Sequence, residues 1–304
     1  MNLENLNQAF AIDGVLRFEA APGGLVRAQI TTAAASATVY LYGAHLTHWQ
    51  PAHEQPMLFT SNQSPFAEGE AIRGGIPVIF PWFGQYSGVQ QPELQYDLHG
   101  FARITEWTLE TARLAGDDLH LEFTLAPNER SRALGFDHFC LRYSIQIGRE
   151  LKLELAVQNE GPAPLRFEEA LHTYFAVGHI ADTSVDGLAG TEYLDSADSF
   201  TRKRQPNAPI RFAAQTDSIF LDTAAACTIH DESNKRRIVI EKSGSQTTVV
   251  WNPGKELAAS LPGLCPCDWS KFLCVETANA KSNVLILAPG ATHRMTARIT
   301  LQAE

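Results

Sequence analysis

The chain has 304 residues, a net charge of −10 and a sequence pI near 5.5. That balance argues against nucleic acid or an anionic membrane surface as a partner, and it obliges any anionic substrate to find locally concentrated positive charge. No apolar run approaches the roughly twenty residues of a membrane span, and Met1 to Phe10 lacks the basic and apolar regions of a secretory signal.

In chain order, residues 1–14 read as a polar leader with little pattern. From Leu16 onward strand signals dominate. Thr38 to Leu41 and His45 to Trp49 flank Tyr42-Gly43-Ala44 as a hairpin-like pair. Trp107 to Thr111 and Leu119 to Leu125 alternate apolar and polar residues on either side of Gly116-Asp117-Asp118. Phe139 to Ile147 and Leu151 to Val157 do the same around Gly148-Arg149-Glu150. Such period-two alternation marks antiparallel strands with one buried face. Further strands are expected over Leu165 to Val177, Ser218 to Leu221, Cys227 to His230, Arg237 to Lys242, Thr247 to Trp251, Phe272 to Glu276 and His293 to Leu301. No amphipathic helix longer than about three turns is visible, and no repeat or linker divides the chain. The pattern predicts an all-β protein, a large antiparallel β-sandwich forming a single domain over residues 1–304. Gln205 to Pro209 and Pro253 to Pro266 read as surface loops. The five cysteines include Cys265-Pro266-Cys267, which is neither a CxxC redox pair nor a zinc spacing. Free thiols in a reducing cytoplasm are expected.

Ile72 to Arg103 is the most unusual stretch. Arg73-Gly74-Gly75-Ile76-Pro77 leads into an apolar, strand-like run that ends at Pro81, and His99-Gly100-Phe101-Ala102-Arg103 follows after a polar loop. Glycine allows close backbone approach and proline fixes φ at each end of the run. Two arginines, a histidine and aromatic residues beside glycine turns could form an anion and sugar platform. They could equally form a corner of a β-fold whose arginines pair with surface acids.

The chain has no HExxH, Walker A, GxSxG or dinucleotide fingerprint. Two polar residues stand out on otherwise apolar strands. By alternation His172 shares a face with Ala170 and Tyr174, opposite Leu171, Thr173 and Phe175. It could be a hydrogen-bonded core residue, or an acid whose ordinary pKa of about 6.5 suits proton transfer near neutrality. Glu276 follows Phe272-Leu273-Cys274-Val275. It either reaches water at a strand end or is buried, in which case desolvation raises its pKa and makes it a better base.

The order and spacing of Arg-Gly-Gly-Ile-Pro at 73–77 and His-Gly-Phe-Ala-Arg at 99–103 resemble the hexose-6-phosphate mutarotases of the aldose 1-epimerase group. Leu171 to Phe175 and Cys274 to Asn279 resemble the segments that hold that family's catalytic histidine and glutamate. Thr216-Asp217 resembles its sugar-binding aspartate segment, and Val250-Trp251-Asn252-Pro253 also fits. The resemblance runs from about Tyr42 to the C-terminus. It implies a galactose mutarotase-like supersandwich that interconverts the α and β anomers of a hexose 6-phosphate without metal or other cofactor. In that reading His172 is the acid, Glu276 the base and Asp217 orients hydroxyls. His99 bonds the sugar, while Arg73 and Arg103 hold the phosphate, where a planar guanidinium can bond two oxygens at once. A monomer acting on a small molecule is expected. Leu98 departs from the polar residue expected before His99, and the Cys265–Cys267 loop matches no family role. Two rival readings are a glycoside hydrolase using Asp217 and Glu276 as its carboxylates, and a non-catalytic sugar-phosphate-binding protein on the same fold.

Overall fold

A computed structural model describes residues 2–303. Two large antiparallel sheets carry the chain. One has nine strands, from Ile210–Arg211 at one edge through Arg236–Ser243, Thr292–Ala303 and Leu151–Asn159 at its centre to Thr108–Ala115 at the other. The other has eight, with Thr216–Phe220, Thr247–Asn252 and Phe272–Asn279 in its middle. A four-stranded sheet built from Leu16–Ala20 to His45–Pro51 adjoins them. This is the all-β sandwich that the alternation predicts. Phe139–Ile147 forms as read, and the other alternating runs differ by a few residues at their ends.

Alternation decides where the core sits. Leu273, Val275, Val250 and Phe220 of the eight-stranded sheet join Phe139, Leu141, Leu153 and Ile299 of the nine-stranded sheet in one buried apolar cluster. The opposite face of the eight-stranded sheet carries Phe272, Cys274, Glu276 and Ala278 at every second position. Its apolar members form two small satellite clusters with a polar gap between them.

Three expectations are corrected. Pro253 to Pro266 is not all surface loop: Gly254–Ala258 is a short α-helix, and Leu264 is buried. Leu3–Phe10 is not a patternless leader but an α-helix, N-capped by the Asn2 side chain. Its Leu6 is buried in the core, and its Asn7 side chain bonds both the N–H and the C=O of Phe18. Leu165 to Val177 is not one strand but three, Leu165–Phe167, Glu169–Leu171 and Tyr174–Ala176. The first break falls where Glu168 leaves the ladder to accept from the Phe83 and Lys281 N–H groups. The second falls at His172 and Thr173, where the Thr173 N–H turns back to the Leu171 carbonyl and the His172 N–H goes to Pro77.

The segment after this break is clamped from behind. Arg236, on the nine-stranded sheet, bonds Asp231 at 3.0 Å and the Ala176 carbonyl at 2.7 Å. Asp231 in turn accepts from the Gly178 N–H at 3.1 Å. Both charged side chains are buried. Removing one partner of such a pair leaves the other charged and unsolvated, which costs about 3–5 kcal/mol. Arg236→Met is therefore expected to lower the urea unfolding free energy by about that amount; a loss below about 1 kcal/mol would show the clamp to be dispensable.

Candidate active site

Strand register brings the two singled-out residues together. Leu171 pairs with Thr277, and Tyr174 pairs with Cys274. The unpaired interval between them sets His172 opposite Glu276. His172 Nε2 lies 3.4 Å from Glu276 Oε1, with the two side chains 8% and 1% exposed. Alternation had put His172 on the face of Ala170 and Tyr174, and it holds across the break. Ala170 and Tyr174 lie in the satellite clusters, and Leu171 and Phe175 in the main core.

Aromatic groups fix the imidazole. The Tyr174 ring lies nearly parallel to it at 4.9 Å and 12°, while Trp251 and His99 stand edge-on at 6.0 and 5.4 Å. Trp251 arrives there because its strand pairs it with Cys274 on one side and Asp217 on the other. Asp217 therefore shares this face, and its charge acts on Glu276.

Burial dominates the electrostatics of the pair. It pushes His172 down to about 3, with the Arg103 guanidinium adding to the effect. It pushes Glu276 well above the usual carboxylate range, with Asp217 adding and Arg103 opposing. Both shifts favour, as the resting form of the pair, a neutral imidazole beside a carboxylic acid, with one proton held between them. Glu276 Oε2 and His172 Nδ1 have no partner among the described protein groups.

The Ile72 to Arg103 stretch forms the rim. Gly75, at φ 62°, passes so close to the neighbouring strand that a Cβ would stand 2.4 Å from the Leu46 carbonyl oxygen. Gly100, at φ 73°, packs on Phe80 in the same way, at 2.1 Å. No side chain fits at either place. His45 donates from Nε2 to the Gly74 carbonyl at 2.8 Å and so holds the Arg73 corner. His99 accepts the Gly84 N–H on Nδ1 at 3.1 Å, and burial together with Arg103 keeps it neutral. Its Nε2 therefore carries the proton and is a donor.

Arg73 and Arg103 line one surface pocket of about 580 Å³ together with Pro262 and Gly263. Each bonds a backbone carbonyl, Arg73 that of Pro262 at 3.3 Å and Arg103 that of Leu98 at 2.8 Å. Among the described residues neither has a carboxylate partner, so both charges stay available. The bland alternative, arginines paired with surface acids, is not what forms. Leu98, the departure noted in the sequence, serves through its backbone. Arg103 is buried, its Nε is unpartnered, and burial draws its pKa down to about 10.

Sequence reasoning missed Tyr174 as a partner of His172, although its place two residues on was the available signal. It also missed Lys281, whose ammonium lies 5.9 Å from the Phe83 ring centre and acts on both His99 and Asp217. Nothing local in the sequence marks that lysine. His172, Cys274 and Glu276 bring ligand atoms within 4.8 Å of one another, a donor set that a soft cation could use. Arg73 and Arg103 both bear on His172 and oppose such an ion.

Residues 27–300 match the family described as Aldose 1-epimerase. The chain belongs to the aldose 1-epimerase family. Family membership agrees with the resemblance seen at 73–77, 99–103, 171–175 and 274–279. A relative in Escherichia coli K12, named a candidate glucose-6-phosphate 1-epimerase, is 34% identical over 84% of each chain. One of the same name from Salmonella typhimurium LT2 is 33% identical over 80% of each. The crystal structure of a candidate mutarotase from Salmonella typhimurium superposes with a TM-score of 0.89 at 28% identity, covering all of both chains. Among the described residues no helix is long and apolar enough to cross a membrane.

The buried carboxyl has a measurable signature in stability. In the unfolded chain Glu276 ionises near its ordinary value, whereas the folded chain keeps it protonated to higher pH. A raised folded pKa gives stability that is present at low pH and lost as pH rises. Glu276→Gln removes this loss. The variant is expected to melt above wild type at pH 7 to 8, with the gap closing toward pH 4. A wild type that gains stability relative to the variant as pH rises would contradict a neutral buried Glu276.

Proposed function

We propose that the protein interconverts the α and β anomers of a hexose 6-phosphate, with glucose 6-phosphate the first candidate. The observation that carries this reading is the His172–Glu276 contact beside a pocket holding two arginines without carboxylate partners. Ring opening requires a proton to leave the anomeric hydroxyl and another to reach the ring oxygen. Both oxygens are bonded to the same carbon, so acid and base must lie close together, and a 3.4 Å separation meets that need. Glu276 as carboxylate takes the hydroxyl proton, and His172 as imidazolium supplies the other. The opened aldehyde rotates about its bond to the next carbon and closes on the opposite face with the roles reversed. The active form carries one proton on the pair, as the resting form does, and differs only in which group holds it. Asp217 orients hydroxyls, His99 donates to the sugar from Nε2, and Arg73 and Arg103 hold the phosphate. No step calls for a cofactor. Every group comes from one chain, in keeping with a monomer, and the five free cysteines support a cytoplasmic setting.

The hydrolase and binding-protein alternatives gain nothing from the family match or from the names of the relatives. Anomer exchange should fall about a hundred- to ten-thousand-fold in His172→Asn and in Glu276→Gln, measured by the decay of optical rotation of freshly dissolved hexose 6-phosphate. Burial spreads the two protonation steps of the pair apart, so wild-type turnover should hold level across neutrality and fall only toward the extremes. A folded Glu276→Gln with near wild-type turnover would remove Glu276 as the base.

The phosphate assignment is tested through Arg73, the more exposed of the two arginines. Arg73→Ala should lower kcat/KM for glucose 6-phosphate by about 2–3 kcal/mol, the scale of a hydrogen bond to a charged group. It should barely alter the reaction of glucose, because the proton-transfer pair is untouched. Lysine should restore part of the loss, keeping the charge without the fork. Equal losses on both sugars would make Arg73 structural, and a wild-type preference for glucose would end the phosphate reading.

A further inference from the structure

The Cys265-Pro266-Cys267 turn, which no step above uses, lies next to the wall of the arginine pocket and is bonded into it from two sides. The two sulfurs are 2.9 Å apart, with Cys267 exposed and Cys265 partly so. A small-molecule disulfide can therefore reach them. Upstream, the same loop supplies Pro262, whose carbonyl accepts from Arg73 Nη2, and Gly263, packed beside the Arg73 side chain. Between these and the turn, Leu264 is buried in the cluster with Tyr174 and Cys274. Downstream, the Asp268 carboxylate accepts from the Cys265 N–H at 2.9 Å and from the Ser61 hydroxyl at 2.8 Å. The Ser61 N–H in turn bonds the Arg73 carbonyl at 3.0 Å. Arg73 is thus gripped by the side-chain end through the Pro262 carbonyl and by the backbone end through Ser61, which the Asp268 carboxylate ties to the Cys265 N–H.

We propose that Cys265 and Cys267 are a reversible thiol–disulfide pair, oxidised by small-molecule disulfides, and that closing it loosens the hold of Arg73 on a phosphorylated substrate. The effect on substrate rests on the phosphate reading given above; formation of the bond does not. The hydrogen bond to Cys265 raises the Cys267 pKa, and Lys271, 3.8 Å from the Cys267 sulfur, offsets part of that rise. The Cys267 thiol, hydrogen-bonded to Cys265, draws the Cys265 pKa down and makes it the better first nucleophile. The Cys265 thiolate attacks one sulfur of the external disulfide, forming a mixed disulfide and releasing one external thiolate. The Cys267 thiolate then attacks the Cys265 sulfur, forming the intramolecular bond and releasing the second. Two protein thiols are oxidised, one external disulfide is reduced to two thiols, and the protein's two protons go to the leaving thiolates. Forming the covalent bond draws the sulfurs closer than 2.9 Å, and the one-residue spacer passes the shift into the Cys265 N–H and the Pro262 segment. An exposed bond of this kind belongs to the easily reduced class, so a dithiol reagent should reopen it.

The test uses the full chain, with oxidised glutathione as the probe. Peptide mapping by mass should find residues 265 and 267 joined and lighter by two hydrogens in wild type, with no such species in the Cys265→Ser/Cys267→Ser variant. Oxidation should raise the KM for glucose 6-phosphate about three- to ten-fold, the scale of one weakened hydrogen bond to a charged group. The kcat and the reaction of free glucose should stay level, and dithiothreitol should reverse the change. The double serine variant should keep the activity of reduced wild type and ignore the oxidant. Failure to find the 265–267 bond overturns the proposal, and so does a mapped bond with unchanged KM. A reduced wild type that shows no preference for the phosphorylated sugar counts instead against the proposed function, and mapping still decides whether the pair forms.

Discussion

The structure turns on one carboxyl group that has been taken out of water. Glu276 is 2% exposed, lies in the middle strands of a sheet and has one oxygen with no protein partner. Burying a carboxylate in this way is costly, and the group answers by keeping its proton. Everything near it makes that proton movable without letting it escape. His172 stands at 3.4 Å to receive it, Arg103 favours the carboxylate once it forms, and the aromatic groups around His172 exclude water.

Holding such a pair requires a rigid support, and the division of the sheet into two faces supplies it. One face of the eight-stranded sheet is packed against the nine-stranded sheet by Leu273, Val275 and Val250. The site face can therefore carry polar residues without carrying the fold. The break at His172 and Thr173 is a local loss of ladder hydrogen bonds, offset by the Pro77 carbonyl on one side and by the Arg236 clamp behind Ala176 on the other. Glu168 does similar work at the rim. Its two oxygens hold the Phe83 and Lys281 N–H groups and so fix both flanks of the cleft.

How much of this could be read from the chain depends on range. The strands with strict alternation were legible because one buried face imposes period two on the sequence. The faces of Leu171 to Phe175 were legible for the same reason, even across an unforeseen break. The break was not legible, because it depends on Pro77 and Glu168 finding partners far away in sequence. Nor was the facing of His172 and Glu276, which comes from a register between strands about a hundred residues apart. Leu3–Phe10 was missed although Leu3, Leu6 and Phe10 recur at helical spacing and pack on the core, because eight residues carry that period over little more than two turns. His99, Arg73 and Arg103 were legible as a group only through the glycines that surround them. Lys281 had no such neighbourhood.

The overall acidity of the chain and the anionic substrate proposed for it are reconciled by where the cations sit. With 34 acidic against 24 basic residues, the distant field repels a phosphate. Screening limits that field to about a Debye length, however, and contacts at hydrogen-bond range override it. Asp97 lines the same pocket and bears on Arg103 from a distance, yet its carboxylate pairs with Arg130 and not with Arg73 or Arg103. Arg103, Arg73 and Lys281 all bear on His99, which stands beside His172. Burial keeps the imidazoles neutral and the arginines add to it, while Arg103 also favours the Glu276 carboxylate. Arg103, proposed to hold the phosphate, therefore also bears on the protonation of both His172 and Glu276, whereas Arg73 bears on His172 alone. Replacing Arg73 is therefore the cleaner way to separate phosphate binding from proton transfer, since it bears on only one member of the pair.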